Sequence, residues 1–169
     1  LGTIHRLDRP TSGIVLYART SKALSRMNEQ FRKKLVQKTY WAVVDNAPPN
    51  SNGTLDNHLQ KDQKQNKSYI TKTEGGKHAV LDFKLLKKLD NFYHLEIKPK
   101  TGRHHQIRVQ LAHIGCIIKG DLKYGARRSN KDASIHLLAQ KLEFLHPVKK
   151  EPITITAPTP KDSVWEACS

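Results

Sequence analysis

Short stretches of alternating apolar and polar residues predict most of the strands in this chain. Between residues 92 and 98, Tyr93, Leu95 and Ile97 alternate with more polar positions, the period of two that is typical of a half-buried strand. Apolar or β-branched runs predict further strands at 13–19, 39–45, 79–86, 135–145 and 153–156. Because strands dominate and hairpin-like spacings are common, we expect an α+β fold with a mixed, largely antiparallel sheet and flanking helices.

The same patterning predicts helices between some of these strands. Thr20 can cap a helix over 21–36, whose apolar stripe consists of Leu24, Met27, Phe31 and Leu35. A second helix is predicted over 103–114, after a break at Thr101-Gly102, and a short one over 163–167. The polar, basic segment 60–68 predicts a mobile loop, and Gly75-Gly76 predicts a turn.

Charge changes the picture more than overall composition does. The 169 residues include 30 Lys and Arg against 15 Asp and Glu, a net charge of +15, with a pI of about 9.9. Such an excess points to a polyanionic partner, either nucleic acid or an anionic membrane surface. No run of about 18 apolar residues is present, which excludes a membrane-spanning helix. The scarcity of cysteine suits a reducing cytoplasm.

One candidate for chemistry is Asp8, which stands between Arg6 and Arg9 in the segment His-Arg-Leu-Asp-Arg-Pro-Thr-Ser-Gly at 5–13. An opposite charge within a few ångströms favours the ionised carboxylate, which can act as a nucleophile or a base. From the charges alone, a surface salt bridge of little energetic value is the favoured interpretation.

Two other segments carry candidate binding groups. Arg103 follows Gly102 and is expected in the first turn of a helix, where free N–H groups bind anions such as phosphate. The alternative is a solvated basic helix end. Tyr40 and Trp41 face opposite ways in a strand, so one ring can pack in the core while the other stacks on a base. Adjacent His104 and His105 lack metal-ligand spacing, so no metal is expected.

Taken together and in this order, these segments resemble the RluA-type RNA pseudouridine synthases. The resemblance rests on 5–13, on Lys-Thr-Tyr-Trp-Ala-Val-Val at 38–44, and on Thr-Gly-Arg-His-His-Gln-Ile-Arg-Val-Gln-Leu-Ala-His-Ile-Gly at 101–115. It continues through 118–121, Tyr124-Gly125 and the closing strand at 137–147. Leu138 and Gln110 stand where family members frequently have His.

The resemblance implies an isomerase that converts uridine in ribosomal or transfer RNA to pseudouridine without a cofactor. The implied catalytic residues are Asp8 as nucleophile or base, Arg108 as its partner, and Tyr40, which stacks on a flipped uracil and handles a proton. The implied substrate-binding residues are Arg6, Arg9, Arg103, His105 and Leu137. We expect a cytoplasmic monomer with no membrane association.

The resemblance also implies a domain organisation. Residues 1–169 are expected to form one catalytic domain that lacks upstream strands and any N-terminal RNA-binding domain, because the chain opens at Leu1-Gly2-Thr3. Two other functions were weighed from the residues alone.

A noncatalytic RNA-binding module explains the charge. A metal-dependent nuclease would need a carboxylate cluster, which the dispersed acidic residues do not provide.

Overall fold

A twisted eight-stranded sheet organises the protein in the computed structural model, which describes residues 1–72 and 74–169. The strands are β1 (Gly2–Thr3), β2 (Ser12–Gly13), β3 (Tyr17–Ala18), β4 (Gln37–Val44), β5 (Asn52–Asp62), β6 (Lys67–Thr71), β7 (Lys77–Lys88), β8 (Tyr93–Pro99), β9 (Leu137–Leu145) and β10 (Pro152–Thr156). The helices are α1 (Ser21–Arg32), α2 (Gln106–His113) and α3 (Ser163–Ala167), with a 3-10 turn at Leu122–Tyr124.

The strand order of the sheet is β10-β9-β4-β8-β7-β5-β6. Neighbours along this path are antiparallel, whereas β2 adds to β9 in parallel and makes the sheet mixed. β1 and β3 pair separately as a small antiparallel ribbon. This arrangement confirms the α+β expectation.

Both faces of the central strand β4 are buried. Ala42 and Val44 pack with Leu95 and Ile97 of β8 on the face that α2 covers. Val43 points the other way and packs with Leu138 and with Trp165 of α3. Trp41 shares that second cluster, so it is a core residue, while Tyr40 lies on the α2 side. The alternation within the strand therefore separates the two aromatic rings, as expected.

Most of the predicted strands are confirmed to within a few residues, namely 39–45, 79–86, 92–98, 135–145 and 153–156, as are the helix at 163–167 and the turn at Gly75-Gly76. The strand predicted at 13–19 is wrong. The segment divides into β2 and β3, which pair with different partners, and between them the Leu16 N–H donates to Nε2 of His5 at 3.0 Å. Ile14 and Leu16 pack in one apolar cluster with Val36 and Leu142, so the apolar run reflects burial and not a continuous strand.

The helix predicted at 21–36 is shorter than expected. Thr20 caps α1 by accepting from Ala23 N–H, but the helix ends at Arg32 because Lys34 adopts a positive φ of 57°. Leu35, expected on the apolar stripe, is 54% exposed.

The loop predicted at 60–68 is also wrong, because β5 and β6 form a hairpin there with a turn at 63–66. Most neighbours of Leu55 and Leu59 in the sequence are polar, so the hydrophobic pattern does not indicate a strand. The strand is held by its backbone hydrogen bonds to β7.

Candidate active site

Asp8 lies on a short turn that is attached to the start of β9 and to Ile135 just before it. The Thr11 N–H donates to the Asp8 carbonyl at 2.9 Å, and the Ile135 N–H donates to the Pro10 carbonyl at 3.0 Å. Gly13 then approaches Ala139 so closely that a Cβ would lie 2.4 Å from the Ala139 carbonyl oxygen, and its φ is +126°. Only glycine fits this position, which fixes the distance between the Asp8 turn and the sheet.

Arg6 and Arg9 are exposed, and a third arginine supplies the guanidinium beside Asp8. Nη1 of Arg108, on α2, lies 3.6 Å from Oδ2 of Asp8. The Arg108 side chain is only 5% exposed, whereas that of Asp8 is 30% exposed. The carboxylate therefore has one side against a buried cation and another open to solvent.

Arg108 has a second and closer carboxylate partner, Asp121. Its Nε and Nη2 each donate to an oxygen of Asp121 at 2.8 Å, and both side chains are buried. Burial lowers the pKa of Arg108, but the hydrogen bond and charge of Asp121, followed by the charge of Asp8, outweigh burial and raise it. Asp121 was missed as a site residue. It stands in the segment 118–121 that carries part of the resemblance, which was the available signal.

Tyr40 faces Asp8 from β4. Burial raises the pKa of Tyr40 to about 12, and the negative charge of Asp8 contributes further. The hydroxyl is therefore protonated at neutral pH. Leu137, almost fully buried at the start of β9, belongs to the core cluster against which Tyr40 packs. Strand pairing brings the two together, because Tyr40 pairs with Ala139 at an irregularity between β4 and β9.

The predicted position of Arg103 in a helix is wrong. Oε1 of Gln106 accepts from the Arg103 N–H at 3.0 Å and from the Thr101 hydroxyl at 2.7 Å, which folds 101–105 into a turn. His105 ends this turn with φ 54°, and α2 begins only at Gln106. Arg103 instead donates from Nε to the His78 carbonyl at 2.8 Å. His104 likewise lies before the helix.

His105 is a buried neighbour of Asp8. Its Nε2 is 3.9 Å from Oδ1 of Asp8, its Nδ1 is 2.7 Å from the Tyr124 hydroxyl, and its ring stacks on His104 at 3.7 Å. Burial lowers the pKa of His105 to about 3, with a further contribution from the charge of Arg108. The ring is therefore neutral at physiological pH. Tyr124, like Asp121, has no role in the sequence-based site.

Asp8 and the side chains around it open into one cleft of about 1330 Å³. It contains every residue of the predicted catalytic and substrate-binding sets: Asp8, Tyr40, Arg108, Arg6, Arg9, Arg103, His105 and Leu137. Lysines also line it, namely Lys34, Lys38, Lys61, Lys77, Lys98 and Lys100. A polyanion would thus meet a basic cleft with a carboxylate beside the buried Arg108.

The described residues were also searched for metal-binding clusters and for membrane-spanning helices. Within 1–72 and 74–169, no three His, Cys, Asp or Glu side chains are grouped so that they could hold a metal ion. Over the same ranges, no helix combines the length and apolar character needed to cross a bilayer.

Comparison with known proteins gives consistent matches. Residues 1–113 match the family model described as RNA pseudouridylate synthase. An uncharacterized RNA pseudouridine synthase of Bacillus subtilis, YlyB, is 37% identical over 161 residues, which are 95% of this chain and 53% of the relative. Ribosomal large subunit pseudouridine synthase D of Xylella fastidiosa is 36% identical over 174 residues, 95% of this chain and 52% of the relative. The chain thus spans about half the length of these relatives.

A solved structure shows that the fold is shared. Human RNA pseudouridylate synthase domain containing 1 superposes with a TM-score of 0.80 at 24% identity, covering 99% of this chain and 72% of that one.

Proposed function

The chain belongs to the RNA pseudouridylate synthase family, and on that premise we propose that it isomerises uridine in RNA to pseudouridine at the Asp8 cleft. In this reaction the N1–C1′ glycosidic bond breaks, a C5–C1′ bond forms, N1 gains a proton and C5 loses one. No redox change occurs and no group is transferred from another molecule. The observation that carries the proposal is the Asp8 carboxylate, 3.6 Å from the buried Arg108 in a basic cleft.

We propose that Asp8 is the reactive carboxylate, acting as a nucleophile or a base. Arg108 cannot readily leave its position, because its guanidinium donates two hydrogen bonds to Asp121. It therefore offers Asp8 a fixed cation on one side, while the exposed part of the carboxylate faces the cleft. A cation fixed in this way can stabilise the charge that develops at the reacting carboxylate in the transition state.

Tyr40 and Leu137 would form the walls around the uracil. The Tyr40 ring lines the cleft and offers a surface on which a flipped base can stack, and its protonated hydroxyl can donate or relay a proton. Leu137 supplies an apolar contact from the start of β9. Arg6, Arg9 and Arg103 are exposed around the same cleft, where they can bind the phosphates on either side of the extruded nucleotide.

The proposed substrate is ribosomal RNA. The Xylella fastidiosa relative is named for the ribosomal large subunit, which favours ribosomal over transfer RNA. We place the activity in the cytoplasm, where such RNA is available and where the free Cys116 and Cys168 suit reducing conditions. Because one chain contributes every residue of the proposed site, we further propose that a monomer is sufficient.

The test is release of tritium from RNA carrying 5-tritiated uridine, because C5 loses its hydrogen only if the new bond forms. We expect release by the full chain that is insensitive to EDTA. Cleavage of the RNA that EDTA abolishes would instead indicate a metal-dependent nuclease. Binding without release would indicate a noncatalytic RNA-binding module, and either of these results would contradict the proposal.

A further inference from the structure

We propose that His105 is a positioning residue: Tyr124 holds it as the Nε2–H tautomer, and this fixed N–H orients the Asp8 carboxylate. The inference rests on the proposed function, since it assigns a task at the same carboxylate. It adds a connection that runs from the backbone of the β5–β6 hairpin, through Tyr124 and His105, to Asp8.

The tautomer follows from the hydrogen bonds of the Tyr124 hydroxyl. The Ser68 backbone N–H donates to this oxygen at 2.9 Å, and a backbone amide can only donate. The hydroxyl still has its own proton, and the acceptor within reach is Nδ1 of His105 at 2.7 Å. A phenol that donates to Nδ1 requires that nitrogen to be unprotonated, so the ring proton is on Nε2.

The opposite edge of the ring leads to the same assignment. Nε2 is 3.9 Å from Oδ1 of Asp8. An Nε2–H directs its positive end towards the carboxylate, whereas an unprotonated Nε2 would set a lone pair against it. At 3.9 Å the separation is longer than a hydrogen bond, and a movement of about 1 Å, as when a substrate closes an open site, would complete it.

The surroundings keep the ring neutral and still. Arg108, His104, Lys61 and Lys123 all disfavour a positive charge on His105, and burial disfavours it more strongly, which lowers its pKa to about 3. His104 stacks on the ring at 3.7 Å, and the Tyr124 ring meets it edge-on with centroids 5.6 Å apart. A neutral, immobile donor can direct a carboxylate without cancelling its charge.

The hairpin holds Tyr124 and His104 in place. The Ser68 hydroxyl lies 2.8 Å from Nδ1 of His104 and 2.9 Å from the His104 carbonyl. At the turn of the hairpin, Asn66 contacts Nε2 of His104 at 3.1 Å, and Lys123 donates to the Asn66 carbonyl at 2.9 Å. The backbone of Ser68 thus supports Tyr124, while its side chain supports only His104, and substitution can separate the two effects.

The tautomer is measured directly by long-range proton–nitrogen correlation NMR of the ¹⁵N-histidine-labelled chain at pH 7, with His105 assigned by the signal that disappears in His105→Gln. We expect the Nε2–H pattern in the unsubstituted chain and tautomer averaging in Tyr124→Phe. Ser68→Ala is the matched control, because it keeps the backbone bond to Tyr124 and so should keep the pattern. An Nδ1–H or imidazolium pattern in the unsubstituted chain would overturn the proposal.

The effect on Asp8 is measured by single-turnover tritium release with His105→Gln and His105→Asn. A glutamine amide reaches far enough to place its N–H near the Nε2 position, whereas asparagine reaches only about as far as Nδ1. We expect His105→Asn to slow the bound reaction by up to about 100-fold, with His105→Gln recovering much of the loss. Equal rates in the two variants, or a change confined to RNA affinity, would contradict the positioning role.

The NMR outcome is independent of the proposed function, whereas the tritium-release outcome depends on it. If the unsubstituted chain released no tritium, the proposed reaction would fail and with it the role at Asp8, while the NMR pattern would still decide the tautomer.

Discussion

Arg108 and Asp121 form a buried, two-point ion pair, with both hydrogen bonds at 2.8 Å, at the base of the Asp8 cleft. Asp8 itself is 3.6 Å from the same guanidinium. The cation is thus held by a residue other than the proposed reactive carboxylate. Asp8 can change its bonding during a reaction without releasing Arg108, and this division of roles leads to the first two predictions.

Asp8→Asn should abolish turnover and leave RNA binding intact or slightly tighter. The amide keeps the size of the side chain but is a poor nucleophile and a poor base, so the loss should exceed the factor of about 10²–10⁴ that accompanies loss of general acid–base help. Tritium release and filter binding measure the two properties. Asp90→Asn removes an exposed carboxylate outside the cleft and is the control. Release within tenfold of the unsubstituted chain would show that Asp8 is not the reactive group.

Asp121→Asn should lower both stability and turnover. It leaves the Arg108 guanidinium buried without its closest anion, a change that costs about 3–5 kcal/mol when one partner of a buried pair is removed. Urea denaturation measures the stability. Asp132→Asn, at an exposed carboxylate, should have a much smaller effect. If Asp121→Asn unfolded at the same urea concentration as the unsubstituted chain, the pair would have no structural value.

Tyr40→Phe should bind RNA almost normally but turn over slowly, whereas Tyr40→Ala should lose both. Phenylalanine keeps the stacking surface, worth roughly 1–3 kcal/mol per base. Only tyrosine has the hydroxyl, which stays protonated because burial raises the pKa of Tyr40 to about 12. Rate and affinity are measured under single-turnover conditions. Normal turnover by Tyr40→Phe would limit the residue to stacking.

Lys34→Ala should weaken RNA binding more than Lys33→Ala, although the two lysines are adjacent. Lys34 lines the cleft, while Nζ of Lys33 is 3.0 Å from Glu29 and already has an anionic partner. Each phosphate of single-stranded RNA that the variant no longer neutralises should make the plot of log affinity against log salt less steep by about 0.7. Salt titrations of both variants measure this slope. Identical slopes would contradict the assignment of Lys34 to the RNA surface.

Acid should destabilise the protein through His94. Burial lowers its pKa to about 4, with a contribution from Lys87, and neither ring nitrogen has a hydrogen-bond partner. The folded state therefore disfavours the proton. The contribution of neutral His94 to the free energy of unfolding is complete above about pH 6.5. It decreases by up to about 3 kcal/mol as the pH falls towards 4.

Urea midpoints at pH 7.5 and 4.5 measure the effect of His94. His94→Leu should reduce the difference between the two midpoints, because leucine cannot take up a proton in the pocket beside Trp41 and Trp165. His113→Leu, at an exposed position, is the control and should leave the difference unchanged. An undiminished difference in His94→Leu would show that other groups cause the acid sensitivity.

The sequence predicts which residues line the cleft better than it predicts their local geometry. Asp8, Tyr40 and Arg108 stand in motifs that are recognisable by residue order, and all three line one cleft. Asp121 was missed although it stands in a recognisable motif, because its pairing with Arg108 depends on how α2 meets the segment before the 3-10 turn. Arg103 was misplaced for a similar reason: the turn over 101–105 depends on the Gln106 side chain, which accepts from the Thr101 hydroxyl and the Arg103 N–H.

The strands also divide into those that the sequence pattern predicts and those that depend on pairing with neighbours. Strands with apolar alternation were found, because their own side chains fill the core. β5 was missed, because its backbone pairing with β7 and β6 supplies order that its polar residues do not encode.

The parallel pairing of Ser12 with Leu138 and Gly13 with Ala139 has a consequence for biosynthesis. The Asp8 turn is translated well before β9, the strand that anchors it, and β4 to β8 are made in between. In a nascent chain whose β9 has not yet left the ribosome, the loop that carries the carboxylate lacks this pairing, and Leu137 is not yet in place. The cleft, and with it the site of the proposed reaction, is therefore complete only after β9 has emerged.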